Sequence, residues 1–472
     1  MSITLYTPAT GFPDLEVKIA YGLARVGMEA YDLDRVTIHD NGGFYTVTID
    51  IEESQFDNLE KTFNMLCKRL LSSPHIPFST PGIAGRSAES ISVKERETFS
   101  LNIYKSMVLN SANKKSDNIC KHENGSVGNI IGFAVSTSFH NNRDGLDIQL
   151  QSKNPKDKTS PKLPRRPTNP MNICKTCALL SLLGTWYVSF IFNVADREVF
   201  VIPIPKKKIG GVKLQEIFAL QHQTRKNWFN QEIPQVLIPL IFLSKIPSSA
   251  DILEGFDLFI AVLSRQQGYH VDGLFLIPIE NYLNFMRQTP YNIATIDIML
   301  RREAYRALQE LNNAIYNRDK ASLPKFARLY VQETSTNDWT NLLYPETTKY
   351  LLREVAMISQ EIIENPALTS LARTLRYFIK EKKYGYADDI RNARKESRDF
   401  EETIAKMLRE GRLRLEQKEK IHLPMDGEIK EVFRLANQDF EATKTALVIL
   451  AFSVLVNAEE TVKTTEEVQD AE

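Results

Sequence analysis

The chain has 472 residues, with 59 Lys and Arg balancing 59 Asp and Glu, 43% hydrophobic residues and four cysteines. Such a composition is ordinary for a soluble globular protein of two to four domains, at roughly 150 residues each. It excludes a disulfide framework. A net charge of zero leaves no global field toward nucleic acid or anionic lipid, so any such attraction must come from local patches. The opening MSITLYTPATGF has neither the basic region nor the apolar core of a secretory signal, which points to a reducing cytoplasm.

In chain order, LEVKIAYGLARVGMEAY places Leu15, Ile19, Leu23 and Val26 at helical spacing, with Asp14 as the expected cap. VTIHDNGGFYTVTIDI reads as a hairpin, two β-rich runs around Asp40-Asn41-Gly42-Gly43. Residues 55–72 return to helix, and 79–90 form a Gly/Ser/Pro loop holding the single Arg86. QSKNPKDKTSPKLPRRPTNP follows, with Lys153, Lys156, Lys158, Lys162, Arg165 and Arg166 against one acid, and five prolines. Neither helix nor central strand tolerates so many prolines, so this is a basic arm.

Beyond the arm, WYVSFIFNV, EVFVIPIP, QVLIPLIFL and FDLFIAVL read as β-type runs interleaved with helices. From about residue 295 the pattern turns helical, through IDIMLRREAYRALQELNNAIY, TKYLLREVAMISQEIIE, ALTSLARTLRYFIKEKK, DFEETIAKMLREGRLRLEQKEK and DGEIKEVFRLANQDFEATKTALVILAFSVLV. The last residues, NAEETVKTTEEVQDAE, hold six acids against one lysine. The expected class is α+β. Its expected parts are an N-terminal α+β region (1–150), the arm (151–170), a central α+β region with a candidate zinc site (171–340), an all-helical bundle (341–457) and an acidic tail (458–472). The apolar runs 178–194 and TALVILAFSVLVNA fall short of the roughly 20 residues of a membrane span and read as core.

Four cysteines and seven histidines set the metal chemistry. Cys174-x-x-Cys177 is one ligand pair, and Cys120 with His122 is the comparable second pair, giving a closed Cys₃His set suited to structural zinc. The competing reading makes Cys174 and Cys177 two buried thiols at a helix start. A thioredoxin-like dithiol is disfavoured, because the proline-rich arm and not a strand precedes the pair.

Tyr386-Ala-Asp388-Asp389 is similar to a polymerase palm motif, in which two aspartates on a hairpin hold metal ions. Here the flanks are helical and basic, so the acids read as first-turn residues of a helix. No other catalytic motif stands out, and no enzyme activity is expected. Local basic sites are Lys206-Lys207-Lys208, then Arg373, Arg376 and Lys380 at i, i+3, i+7 on one helix face, with Leu368, Leu371, Leu375 and Phe378 marking its buried side. Arg391, Arg394 and Arg398 repeat that spacing. Guanidinium forks suit phosphate, and such contacts hold backbone without reading bases.

Together LEVKIAYGLARVG, NICKTCALLSLLG, EVFVIPIP and the helical module ALTSLARTLRYFIKEKKYGYADDIRNARKESRDFEETIAKMLRE resemble the large subunit of type I CRISPR effector complexes (Cascade), nearest the I-A and I-B-like forms, with a small-subunit-like helical module fused at the C-terminus. The resemblance implies a non-catalytic, cytoplasmic antiviral-defence protein within a ribonucleoprotein. It would bind the 5′ handle of CRISPR RNA and target DNA, recognise the protospacer-adjacent motif, and contact backbone and other Cascade subunits and a helicase-nuclease. Base pairing then reads sequence while protein reads a short motif and backbone. A nucleic-acid enzyme on a degenerate palm, or a scaffold without nucleic-acid contact, are the alternatives.

Overall fold

A computed structural model describes residues 2–9, 13–71, 133–134, 172–173, 175–194, 197–224, 233–246, 249–264, 270–396 and 398–454. The chain is α+β and divides into two compact units, Met1–Ile233 with Asp251–Glu280, and Pro234–Ala250 with Asn281–Glu472. This differs from the sequence-based boundary at 340. The helical unit starts some sixty residues earlier and takes in the segment 234–250.

The mixed unit begins with β1 (Ile3–Tyr6), α1 (Pro13–Ala30), β2 (Val36–Asp40), β3 (Tyr45–Ile49) and α2 (Phe56–Leu71). The hairpin forms where expected, and its turn needs glycine because Gly42 and Gly43 sit at φ 75° and 137°. Asp14 is not a cap. It lies inside α1, fully buried, and pairs with Lys18 one turn on at 3.7 Å. Two short strands, β4 (Phe133–Ala134) and β5 (Asn172–Ile173), pair with each other.

Next come α3 (Lys175–Val188), β6 (Phe190–Val194), β7 (Arg197–Pro205), β8 (Ile209–Gly210) and α4 (Gly211–Gln223). Trp186, Tyr187 and Val188, expected in a strand, are the last turn of α3. The helix buries Cys177, Leu180 and Leu183, and the extended chain starts only at Phe190. Later strands are β9 (Phe256–Ser264) and β10 (His270–Pro278). Both four-stranded sheets are antiparallel, in the orders β1-β3-β2-β8 and β10-β9-β7-β6.

The seam between α1 and α3 is made by glycine. A Cβ on Gly22 would overlap the Leu180 carbonyl, and a Cβ on Gly184 would overlap the Lys18 carbonyl. Each helix thus packs on the other's main chain, an approach only glycine permits.

The helical unit takes in α5 (Ile238–Lys245), and the short α6 (Ser249–Ile252) lies where the chain passes back to the mixed unit. QVLIPLIFL is therefore helical, not a strand: Pro239 stands in the first turn, where its missing N–H costs nothing, and the helix is buried almost all round. There follow α7 (Glu280–Gln288), α8 (Pro290–Arg301), α9 (Tyr305–Tyr316), α10 (Ser322–Thr334) and α11 (Pro345–Tyr350). The run from Ile296 to Tyr316 is thus two helices, parted where Glu303 adopts φ 55°. From α11 the chain passes into a π-helical turn over Leu351–Val355, and Met357 follows at φ 56° before α12 (Gln360–Ile363).

The rest is α13 (Pro366–Lys380), α14 (Gly385–Asn392), α15 (Asp399–Glu416), α16 (Asp426–Gln438) and α17 (Phe440–Ala451). The last two were expected as one helix; they are parted at Asp439, whose side chain caps α17 by accepting from Ala442 N at 3.0 Å. Ser453 bridges back to Leu343, joining the unit's last residues to the start of α11. Among the described residues no helix is long and apolar enough to cross a membrane.

Candidate nucleic-acid interface

The arginine face of α13 follows from its cap and its stripe. Asn365 accepts from Ala367 N at 2.9 Å and Leu368 N at 3.3 Å, and Pro366 occupies the first turn. Leu368, Leu371, Leu375 and Phe378 are fully buried, as expected. One flank is tied to the segment 419–428. Thr374 Oγ1 donates to His422 O at 2.7 Å, Ser370 Oγ donates to Glu428 at 2.9 Å, and Tyr377 OH donates to Glu419.

The other flank carries Thr369, Arg373, Arg376 and Lys380. Lys380 is exposed and Arg373 half-buried. Arg376 was expected to face outward with Arg373, but the two differ in how the fold covers them. Arg376 is half-buried, and its Nε and Nη2 atoms are buried with no hydrogen-bond partner. Burial, then repulsion from Arg373, pulls its guanidinium down to about 10.

Arg391, Arg394 and Arg398 do not share a helix face. The helix α14 stops at Asn392, because Ala393 turns extended (ψ 141°) and its carbonyl accepts from Lys444 Nζ at 3.0 Å. Arg391 pairs with Asp388 at 3.2 Å, while Arg394 and Arg398 are exposed on the connector before α15. Asp388 also pairs with Arg328 at 3.1 Å. Tyr386 OH donates to Glu410 at 2.6 Å, which lowers the Glu410 carboxyl, while burial first and then that bond push Tyr386 up to about 12. Tyr386 to Asp389 therefore lie on the helix α14, with Asp389 exposed, and the hairpin of a palm motif is not formed there.

Arg391 and Lys444 also line a cleft of about 540 Å³, with Lys320 and Lys325 across from Asp439 and Glu441. The two lysines come with α10, an element the sequence reading passed over. Its signal was available in Asp319, whose carboxylate accepts from Ala321 N at 3.0 Å and from Ser322 Oγ at 2.7 Å at the helix start.

In the mixed unit, Lys206, Lys207 and Lys208 form an exposed turn after β7. Lys206 pairs with Asp257 at 3.5 Å, although burial still raises the Asp257 carboxyl above its ordinary range. Arg86, Lys153, Lys156, Lys158, Arg165, Arg166, Cys120, His122 and Cys174 lie outside the described residues. Cys177 is 1% exposed in the first turn of α3, within the core. Among the described residues no group of three His, Cys, Asp or Glu side chains could hold a metal.

No protein-family model matches the chain, and no curated protein matches it.

Proposed function

We propose that this chain is a non-catalytic, nucleic-acid-binding large subunit of a CRISPR RNA-guided surveillance complex, its helical unit following a nucleic-acid backbone. The observation that carries the reading is Arg376, a half-buried guanidinium with two nitrogens lacking partners, one turn from Arg373. Arg373 adds like charge beside Arg376, and a phosphate accepts two guanidinium N–H groups at once. Lys380, one turn beyond, extends the line at a helical pitch of about 5.4 Å, close to the spacing of neighbouring phosphates. The resemblance in the sequence supplies the partners, CRISPR RNA, target DNA, backbone subunits and a helicase-nuclease, and motif recognition in the mixed unit; ligand spacing supplies a Cys₃His zinc on Cys120, His122, Cys174 and Cys177.

The test is the double variant Arg373→Ala, Arg376→Ala in the full chain, titrated with single-stranded oligonucleotides of several sequences from about 50 to about 200 mM salt. All sequences should weaken alike, and the slope of log affinity against log salt should become shallower by about 1.4, two contacts at about 0.7 each. Unchanged affinity across the series would leave this face merely solvated. Elemental analysis of the purified chain tests the zinc, with one metal per chain expected.

A further inference from the structure

A second feature lies in the mixed unit, far from any motif. The last turns of α2, α3 and α4 meet around a cavity of about 420 Å³. This falls in the range of small-ligand sites, roughly 300–1,000 Å³. Its floor is leucine, buried in the core: Leu66 and Leu70 from α2, Leu183 from α3. Its walls are Trp186 and Tyr187, both partly exposed, and its rim holds the exposed Arg69 and His222.

Tyr187 is held in place. The Arg25 guanidinium sits 4.7 Å from its ring centre and is itself paired with Glu29, while Phe218 packs 5.9 Å away. An aromatic wall this fixed loses little freedom when a flat ligand enters.

The charge pattern narrows the occupant. Helix C-terminal turns carry partial negative charge and offer carbonyls, so three of them together disfavour an anion on the floor. Among the described lining residues the one permanent cation, Arg69, stands at the rim. A ligand that fits is neutral and flat inside, and anionic just outside. We infer that this cavity, built by Leu66, Leu183, Trp186 and Tyr187 with Arg69 and His222 at its mouth, takes one unpaired base of a single-stranded nucleic acid and holds the flanking phosphate at the rim. Aromatic and arginine planes are the usual partners of splayed bases. The inference rests on the chain's being a nucleic-acid binder, but not on Arg373 or Arg376.

The experiment uses the full chain and three 12-nucleotide probes: oligo(U), oligo(dT) and an abasic strand of equal length. Base-bearing probes should bind about 5- to 150-fold tighter than the abasic one, the range for a single stacked base. Trp186→Ala should remove that discrimination, and Arg69→Ala should weaken all three probes. Trp186→Phe should retain most of the discrimination. Because Trp186→Ala also strips a core contact, a second readout is needed. With Trp228→Phe and Trp339→Phe in place, Trp186 is the last of the three tryptophans, and oligo(U) or oligo(dT) should quench its fluorescence while the abasic strand does not. A preference between oligo(U) and oligo(dT) reflects the sugar and the 5-methyl group together, and either supports the site. If probes bind without regard to their bases, or without quenching, the inference falls while the Arg373 and Arg376 reading stands. If no probe binds, both fall.

Discussion

The two units stabilise the same kinds of group by different means. In the mixed unit, Asp14 and Lys18 are ion-paired with both side chains fully buried, on a helix whose Gly22 abuts another helix's main chain. In the helical unit, ion pairs such as Arg306–Glu333 at 2.6 Å, with Arg306 71% and Glu333 13% exposed, keep one partner in water, and helices meet through leucine and phenylalanine stripes. A buried pair is costly to break, because the survivor keeps its charge in a poor solvent. An exposed pair is worth little, because water replaces it. The same contact therefore carries different weight in each unit.

The largest effect should follow from Lys18→Met, which leaves Asp14 buried without its lysine and should cost about 3–5 kcal/mol. Hydrogen exchange in peptides from α1 and α3 reads the loss directly. Next comes Gly184→Ala. Its new methyl meets the Lys18 carbonyl rather than a movable side chain, so the loss should reach the upper part of the overpacking range, about 1–3 kcal/mol, in denaturant titrations. A smaller change of opposite sign is expected for Arg376→Met. Removing a half-buried charge that lacks partners should raise stability by about 1 kcal/mol in the same titration, and a loss there would mean the guanidinium already has its anion. Arg306→Met should fall below about 1 kcal/mol, and high salt should erase even that. A large loss at Arg306 would collapse the contrast between the units.

Legibility followed the same division. The helices α13, α15 and α16 were readable, because one polar side and one apolar side give a clear 3.6-residue period. The hairpin was readable through its turn, whose two glycines the backbone requires. By contrast α5 is buried nearly all round and α3 carries apolar residues on every side of its sequence, so neither shows a period, and WYV and QVLIPLIFL resemble strands in composition alone. The arginines of α13 were found by spacing, but spacing could not show that two nitrogens of Arg376 are buried in the folded unit. For Arg391, Arg394 and Arg398 the counting ran past a helix end that the Lys444 bond to Ala393 fixes from 51 residues away. The aromatic cavity had no sequence signal, since it exists only where three helix ends converge.

The glycine seam also limits how the mixed unit can move. Sliding α1 along α3 by one helical turn, about 5.4 Å, would bring Lys18 or Val26 to the place that Gly22 holds, and neither fits against a carbonyl. The two helices are thus geared together, with no shear between them. Trp186 and Tyr187 ride on the last turn of the same α3, so a force on those rings is delivered to α1 as displacement of the pair.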